Sequence, residues 1–128
     1  MLRKKNVLIC LAAVVLCVAG IALAAAVKVD LMPYAYPGAE PIEPDASGQA
    51  VLNYAKGADK TEIQVNCRGL TPGEEYTVYI GSPWEVIGTF IARKNGSGNL
   101  HARPDGDQSG RLPVAVNKGL YTTVLLGP

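Results

Sequence analysis

The chain has 128 residues, with 12 Lys and Arg against 11 Asp and Glu, a single His and three Cys. That length allows one domain with one core rather than several. A formal charge of +1 excludes the strongly basic footprint of a nucleic-acid binder, and one histidine excludes a histidine-rich metal centre.

At the N-terminus Arg3, Lys4 and Lys5 precede an apolar run over residues 7–19, then Gly20 and an alanine-rich end at residues 22–26. A basic start, an apolar middle and small residues at a cleavage site are the pattern of a secretory signal peptide. Cleavage is expected after Ala26, with Ala24 as the alternative. Retained as an anchor, residues 7–26 come to about 20, near the span of a bilayer, and a membrane is a partner only in that case. Ile9 and Leu16 stand before Cys10 and Cys17, where a lipoprotein signal needs a small residue, so lipidation is not expected. Loss of the three leading cations takes the charge from +1 to −2. Cys10 and Cys17 leave too, so Cys67 remains without a partner for an internal disulfide and the core must hold the fold.

The expected organisation is a signal at residues 1–26, a first strand and proline-rich lead-in at 27–47, and the core of the fold at 48–128. Residues 27–31 read as a strand. Pro33, Pro37, Pro41 and Pro44 then fix the backbone and remove donors, so this stretch is neither helix nor central strand. It reads as a spacer laid along the surface, or as a recognition segment displaying Tyr34 and Tyr36. From Gly48 onward the apolar period is two. Over residues 61–68, Ile63, Val65 and Cys67 share one face, and Glu62, Gln64, Asn66 and Arg68 the other. Residues 50–55, 75–80, 86–92, 100–103, 112–116 and 121–126 are further strands, with Pro113 restricting its own to an edge or a strand start. Turn residues at 56–60, 95–99 and 117–119 suit hairpins, the last with Gly119 left-handed. The fold class expected is all-β: a small antiparallel two-sheet sandwich of about eight short strands.

The run from Gly69 to Ile80 contains Leu70, Pro72-Gly73 and Tyr76, and resembles the corner signature of fibronectin type III and related immunoglobulin-like sandwiches. The resemblance implies Leu70 as a core plug, Pro72 in the turn, and a Tyr76 hydroxyl bonded back to the upstream backbone. It covers about a dozen residues and implies no activity. Residues 77–128 all follow Tyr76, a longer remainder than the family's last two strands.

Candidate sites are few. Trp84, in a loop between strands, is either a lid over one end of the core or an exposed indole for a sugar ring or a partner protein. Asp105, Asp107 and Ser109, with Gly110 sixth, resemble the front half of a calcium loop, but Val116 occupies the twelfth position where a bidentate acid belongs. His101 stands alone on an outward strand position, and Cys67 points inward, where a thiol acts as a small apolar residue with a raised pKa. Asn95-Gly96-Ser97 is a glycosylation sequon as well as a turn. No cofactor and no catalytic residue is expected. The function expected is that of an exported, non-catalytic binding or structural module, secreted or in the cell envelope, with a protein or glycan as partner. The alternatives are a small hydrolase, metal-dependent or not, using the loop carboxylates Asp105, Asp107 or Glu85, and a self-assembling surface subunit joined through edge strands.

Overall fold

Strict alternation of apolar and polar side chains needs only a pleated backbone with one face on a core. In the computed structural model, which describes residues 26–128, this pattern forms β3 (Lys60–Arg68), with Ile63, Val65 and Cys67 buried and Gln64, Asn66 and Arg68 exposed. The other strands are β1 (Val27–Pro33), β2 (Ser47–Ala55), β4 (Glu75–Ile80), β5 (Glu85–Ile91), β6 (Gly98–Ala102), β7 (Val114–Lys118) and β8 (Thr122–Gly127). All their ladders are antiparallel, and there is no helix among the described residues. The expected signal peptide lies outside the described residues.

The strands run in the order β5-β4-β7-β8-β1-β2-β3-β6. Hydrogen bonding does not divide them into the two separate sheets expected, because β1 belongs to both halves. Its residues 27–31 pair with β2, while Met32 and Pro33 pair with β8. A strand that changes partner part-way turns the corner between two packed halves. The result is nearly a barrel, with β5 and β6 in contact across the remaining seam. Glycine makes that contact close: a Cβ on Gly98 of β6 would run into the ring of Phe90 on β5.

Inside lie Leu31, Leu52, Ile63, Tyr76, Ile80 and Leu125, all fully buried, with valines from β3, β4, β7 and β8. Each such side chain contributes about 1.5–3 kcal/mol on leaving water, which is how the described domain stands without a disulfide. Cys67 is free and buried. Desolvation pushes its thiol up to about 12, since the thiolate would lose its hydration.

Of the two places expected for the Pro113 segment, an edge or a strand start, the second is found: the strand begins at Val114, just past the proline, and β7 is central, between β4 and β8. The missing N–H thus falls before the ladder begins. The alternation expected in β7 is lost: Val114 and Val116 face the core, yet Ala115 and Asn117 are buried as well. Their cover is the β7–β8 turn, which folds back over the outer face, with the Gly119 N–H donating to the Glu75 carbonyl at 3.0 Å.

Candidate functional site

The corner at Tyr76 shows how the lead-in is fixed. Tyr76 is fully buried, stacked on Phe90 with centroids 5.6 Å apart, and its hydroxyl oxygen accepts the Thr71 N–H at 2.9 Å. The hydroxyl donates to the carboxylate of Glu43, at 2.9 and 2.8 Å from its two oxygens. Glu43 also accepts from Thr71 N at 2.8 Å and Thr71 Oγ1 at 3.0 Å. Burial first, and then the bond to Glu43, pushes the Tyr76 hydroxyl up to about 12. Nothing local in the chain marks Glu43, a carboxylate only 7 % exposed in a proline-rich stretch. Leu70 is buried beside this corner and Pro72 is exposed in its turn.

The Asp105–Gly110 loop is held by internal bonds. Asp105 pairs with Lys60, which lowers its pKa through the hydrogen bond and then the charge. The Asp107 carboxylate accepts from the Ser109 amide at 3.0 Å and from its hydroxyl, and its pKa is lowered by those bonds. Beneath the loop, buried Thr61 donates its hydroxyl to the Gly106 carbonyl at 2.7 Å and accepts the Gln108 N–H at 2.8 Å. His101 lies 2.6 Å from a Glu62 oxygen on the outer face of β3 and β6, and Glu62 also pairs with Arg103. Among the described residues no group of three or more His, Cys, Asp or Glu is placed to hold a metal ion. At the sequon, Asn95 Oδ1 accepts from the Ser97 amide at 3.0 Å and from its hydroxyl at 2.6 Å, so both residues shape the turn.

Trp84 does not cap the core. It sits in the β4–β5 turn, 54 % exposed, edge-on to Tyr79 with ring centroids 6.5 Å apart. Tyr79 alternates with the inward Val78 and Ile80, so both rings stand on the outer face. Arg111 holds the turn: Nη1 pairs with Glu85 at 2.8 Å and Nη2 donates to the Pro83 carbonyl at 2.6 Å. Opposite stands the β7–β8 turn, carrying Leu120 at 56 % and Tyr121 at 88 % exposure. The Leu120 carbonyl accepts from Tyr79 Oη at 2.8 Å and Asn117 Nδ2 at 3.1 Å. Between the two turns lies an open groove of about 320 Å³, lined by Tyr79, Trp84, Ala115, Asn117, Leu120, Tyr121 and Thr123. With Nδ2 committed to a carbonyl, the buried Asn117 Oδ1 has no partner.

The lead-in adds to this surface. Tyr36 Oη accepts the Thr123 N–H at 2.9 Å and lies 3.4 Å from the Tyr121 carbonyl, and Tyr34 packs edge-on to Tyr36 at 5.0 Å. Trp84 was singled out from the sequence, but Tyr79, Asn117, Leu120 and Tyr121 were not. The available signal was Leu120-Tyr121, two large apolar residues in a turn that needs neither.

A larger hollow of about 450 Å³ lies over β1, β2 and β3, where Asp30, Met32, Gln49 and Arg68 are at its rim. It has no aromatic lining, and Arg68 Nε donates to Ser47 Oγ there at 3.2 Å. The aromatic groove is therefore the better candidate for recognition.

No family model matches the chain, and no relative is found among curated proteins.

Proposed function

We propose that the chain is an exported, non-catalytic binding module whose ligand enters the groove between the β4–β5 and β7–β8 turns and rests on Trp84. One observation carries the reading: the single tryptophan is held half-exposed over Tyr79, facing two uncovered apolar residues across an open groove. Large aromatic rings fixed on turns above a rigid sheet are economical binding elements, because little side-chain entropy remains to be lost. Export rests on the pattern of the first 26 residues, and intact mass after expression with that segment tests it. The immunoglobulin-like sandwich reading is supported by the bond from Thr71 N–H to Tyr76 Oη and by the two halves that meet at β1.

The three acids of the hydrolase alternative are engaged elsewhere: Asp105 with Lys60, Asp107 with Ser109, and Glu85 with Arg111. Self-assembly has one observation in its favour, the edge strand β5, whose Val86 and Ile91 are 50 % and 63 % exposed. Sedimentation at several concentrations tests that second reading.

Because Trp84 is the sole tryptophan, its fluorescence reports the groove directly. Titration with a mixed panel of glycans and peptides should give a saturable change in emission with at least one class. Trp84→Ala, followed by calorimetry, should abolish that binding; unchanged affinity in the variant removes the groove from the account.

A further inference from the structure

The geometry points to a neutral polysaccharide as the ligand of this groove, with the C–H face of one sugar ring on Trp84 and the chain running over the β7–β8 turn toward Tyr121 and Tyr36. The inference rests on the binding-module reading above and names its ligand class.

Two observations carry it. The first is an aromatic belt hung on a single turn. Tyr79 binds the Leu120 carbonyl through its hydroxyl, Tyr36 binds the Thr123 amide through its own, and Tyr121 lies between them in sequence and space. With Trp84 packed on Tyr79, four aromatic residues follow the outer surface of that end of the fold. The phenol oxygens of Tyr79 and Tyr36 are turned to the backbone, so the surface offers ring faces and edges. Such rings fit ligands with flat patches of C–H groups.

The second observation is charge. No residue lining the groove is charged, and at the neighbouring turn Arg111 and Glu85 are paired with each other. An anionic or cationic ligand finds no counter-ion there, and stripping its water would go uncompensated.

The test uses the full chain and the emission of Trp84. Neutral oligosaccharides of increasing length, from β-1,4-glucan, α-1,4-glucan and β-1,4-linked N-acetylglucosamine, are titrated beside polygalacturonate and a proline-rich peptide. At least one neutral series should shift the emission saturably and bind more tightly as it lengthens, since the belt extends beyond one ring. Trp84→Ala, which lacks the fluorophore and is followed by calorimetry beside the wild type, should weaken that binding by about tenfold or more, and Tyr121→Ala by a smaller factor, with circular dichroism unchanged because both side chains are exposed. A response to the peptide alone, or to polygalacturonate alone, overturns the carbohydrate assignment and leaves the groove as the binding site. Silence from every probe, or binding indifferent to Trp84→Ala, overturns both.

Discussion

Removal of the Glu43 carboxylate is the sharpest perturbation available, because it separates a lead-in laid loosely on the surface from one anchored in the fold. In Glu43→Ala three donor groups lose their acceptor: Tyr76 Oη, Thr71 N and Thr71 Oγ1. Thr71 N keeps Tyr76 Oη as an acceptor, and the half-buried Thr71 hydroxyl can turn to water. Only Tyr76, fully buried, is left with a donor that water cannot reach. A hydrogen bond to a charged group contributes ~1.5–3 kcal/mol and a stranded buried donor costs ~1–3 kcal/mol, so the expected loss is about 3 kcal/mol. For a domain of about 100 residues this lowers Tm by roughly 12–24 °C. Glu43→Gln retains an acceptor oxygen and should lose about 1 kcal/mol. Tyr76→Phe keeps the stack on Phe90 and, combined with Glu43→Ala, should give a coupling energy of about 1–2 kcal/mol, because both variants delete the same bond. Urea transitions followed by Trp84 emission and by circular dichroism measure the differences, with the m-value unchanged. A Glu43→Ala protein within about 0.5 kcal/mol of wild type would refute the anchoring argument.

Further outcomes follow from the same structure. Cys67 and Tyr76 have folded pKa values raised to about 12 from 9.0 and 10.0, so the folded state holds protons that the unfolded state gives up. Stability is therefore fully present below pH 9 and falls as pH rises toward 12, by up to ~1.4 kcal/mol per pH unit from the thiol; urea melts from pH 8 to 11 check this, and a Cys67→Ala variant with an equally steep fall would sink the assignment to the thiol. The same burial makes Cys67 slow toward thiol reagents in the native protein and fast in urea, and rapid native labelling contradicts an inward thiol. Gly98→Ala should cost about 1–3 kcal/mol because its new methyl displaces the Phe90 ring, whereas Gly57→Ala, with nothing within 4 Å, should stay within ~0.5 kcal/mol; equal thermal midpoints refute the close seam. Thr61→Val leaves the Gly106 carbonyl and Gln108 amide without their hydroxyl partner and should cost about 1–3 kcal/mol, read as a loss of amide protection confined first to residues 104–110.

The order in which chemistry is distributed over this fold is informative for its function. Some of the charged groups outside the groove are paired in short surface bridges: Lys60 with Asp105, Glu62 with His101 and Arg103, Arg111 with Glu85. Such pairs contribute little to stability individually, but they hold loops in place. The groove, by contrast, has no charged residue in its lining. The proposed binding module would recognise its ligand by stacking and neutral contacts, so its affinity should depend only weakly on salt.

The sequence by itself determined the local structure. Period-two alternation placed β4 at its observed bounds and located the other seven strands to within a few residues, because alternation depends only on neighbours in the chain and on one face being dry. It also placed Gly119 in a left-handed turn, where φ is +69°. What only the tertiary structure decided are contacts between residues far apart in sequence. Glu43 meets Tyr76 across 33 positions, and Tyr36 meets Thr123 across 87. Neither pairing leaves a local trace, since a glutamate among prolines and a tyrosine on a linker look like solvated residues until the chain closes over them. The switch of β1 between β2 and β8 is of the same kind, for it depends on how far the sheet curls. Trp84 was visible as a lone aromatic in a loop, but the groove exists only because the β7–β8 turn folds back onto the outer face and brings Tyr79, Asn117 and Tyr121 to it.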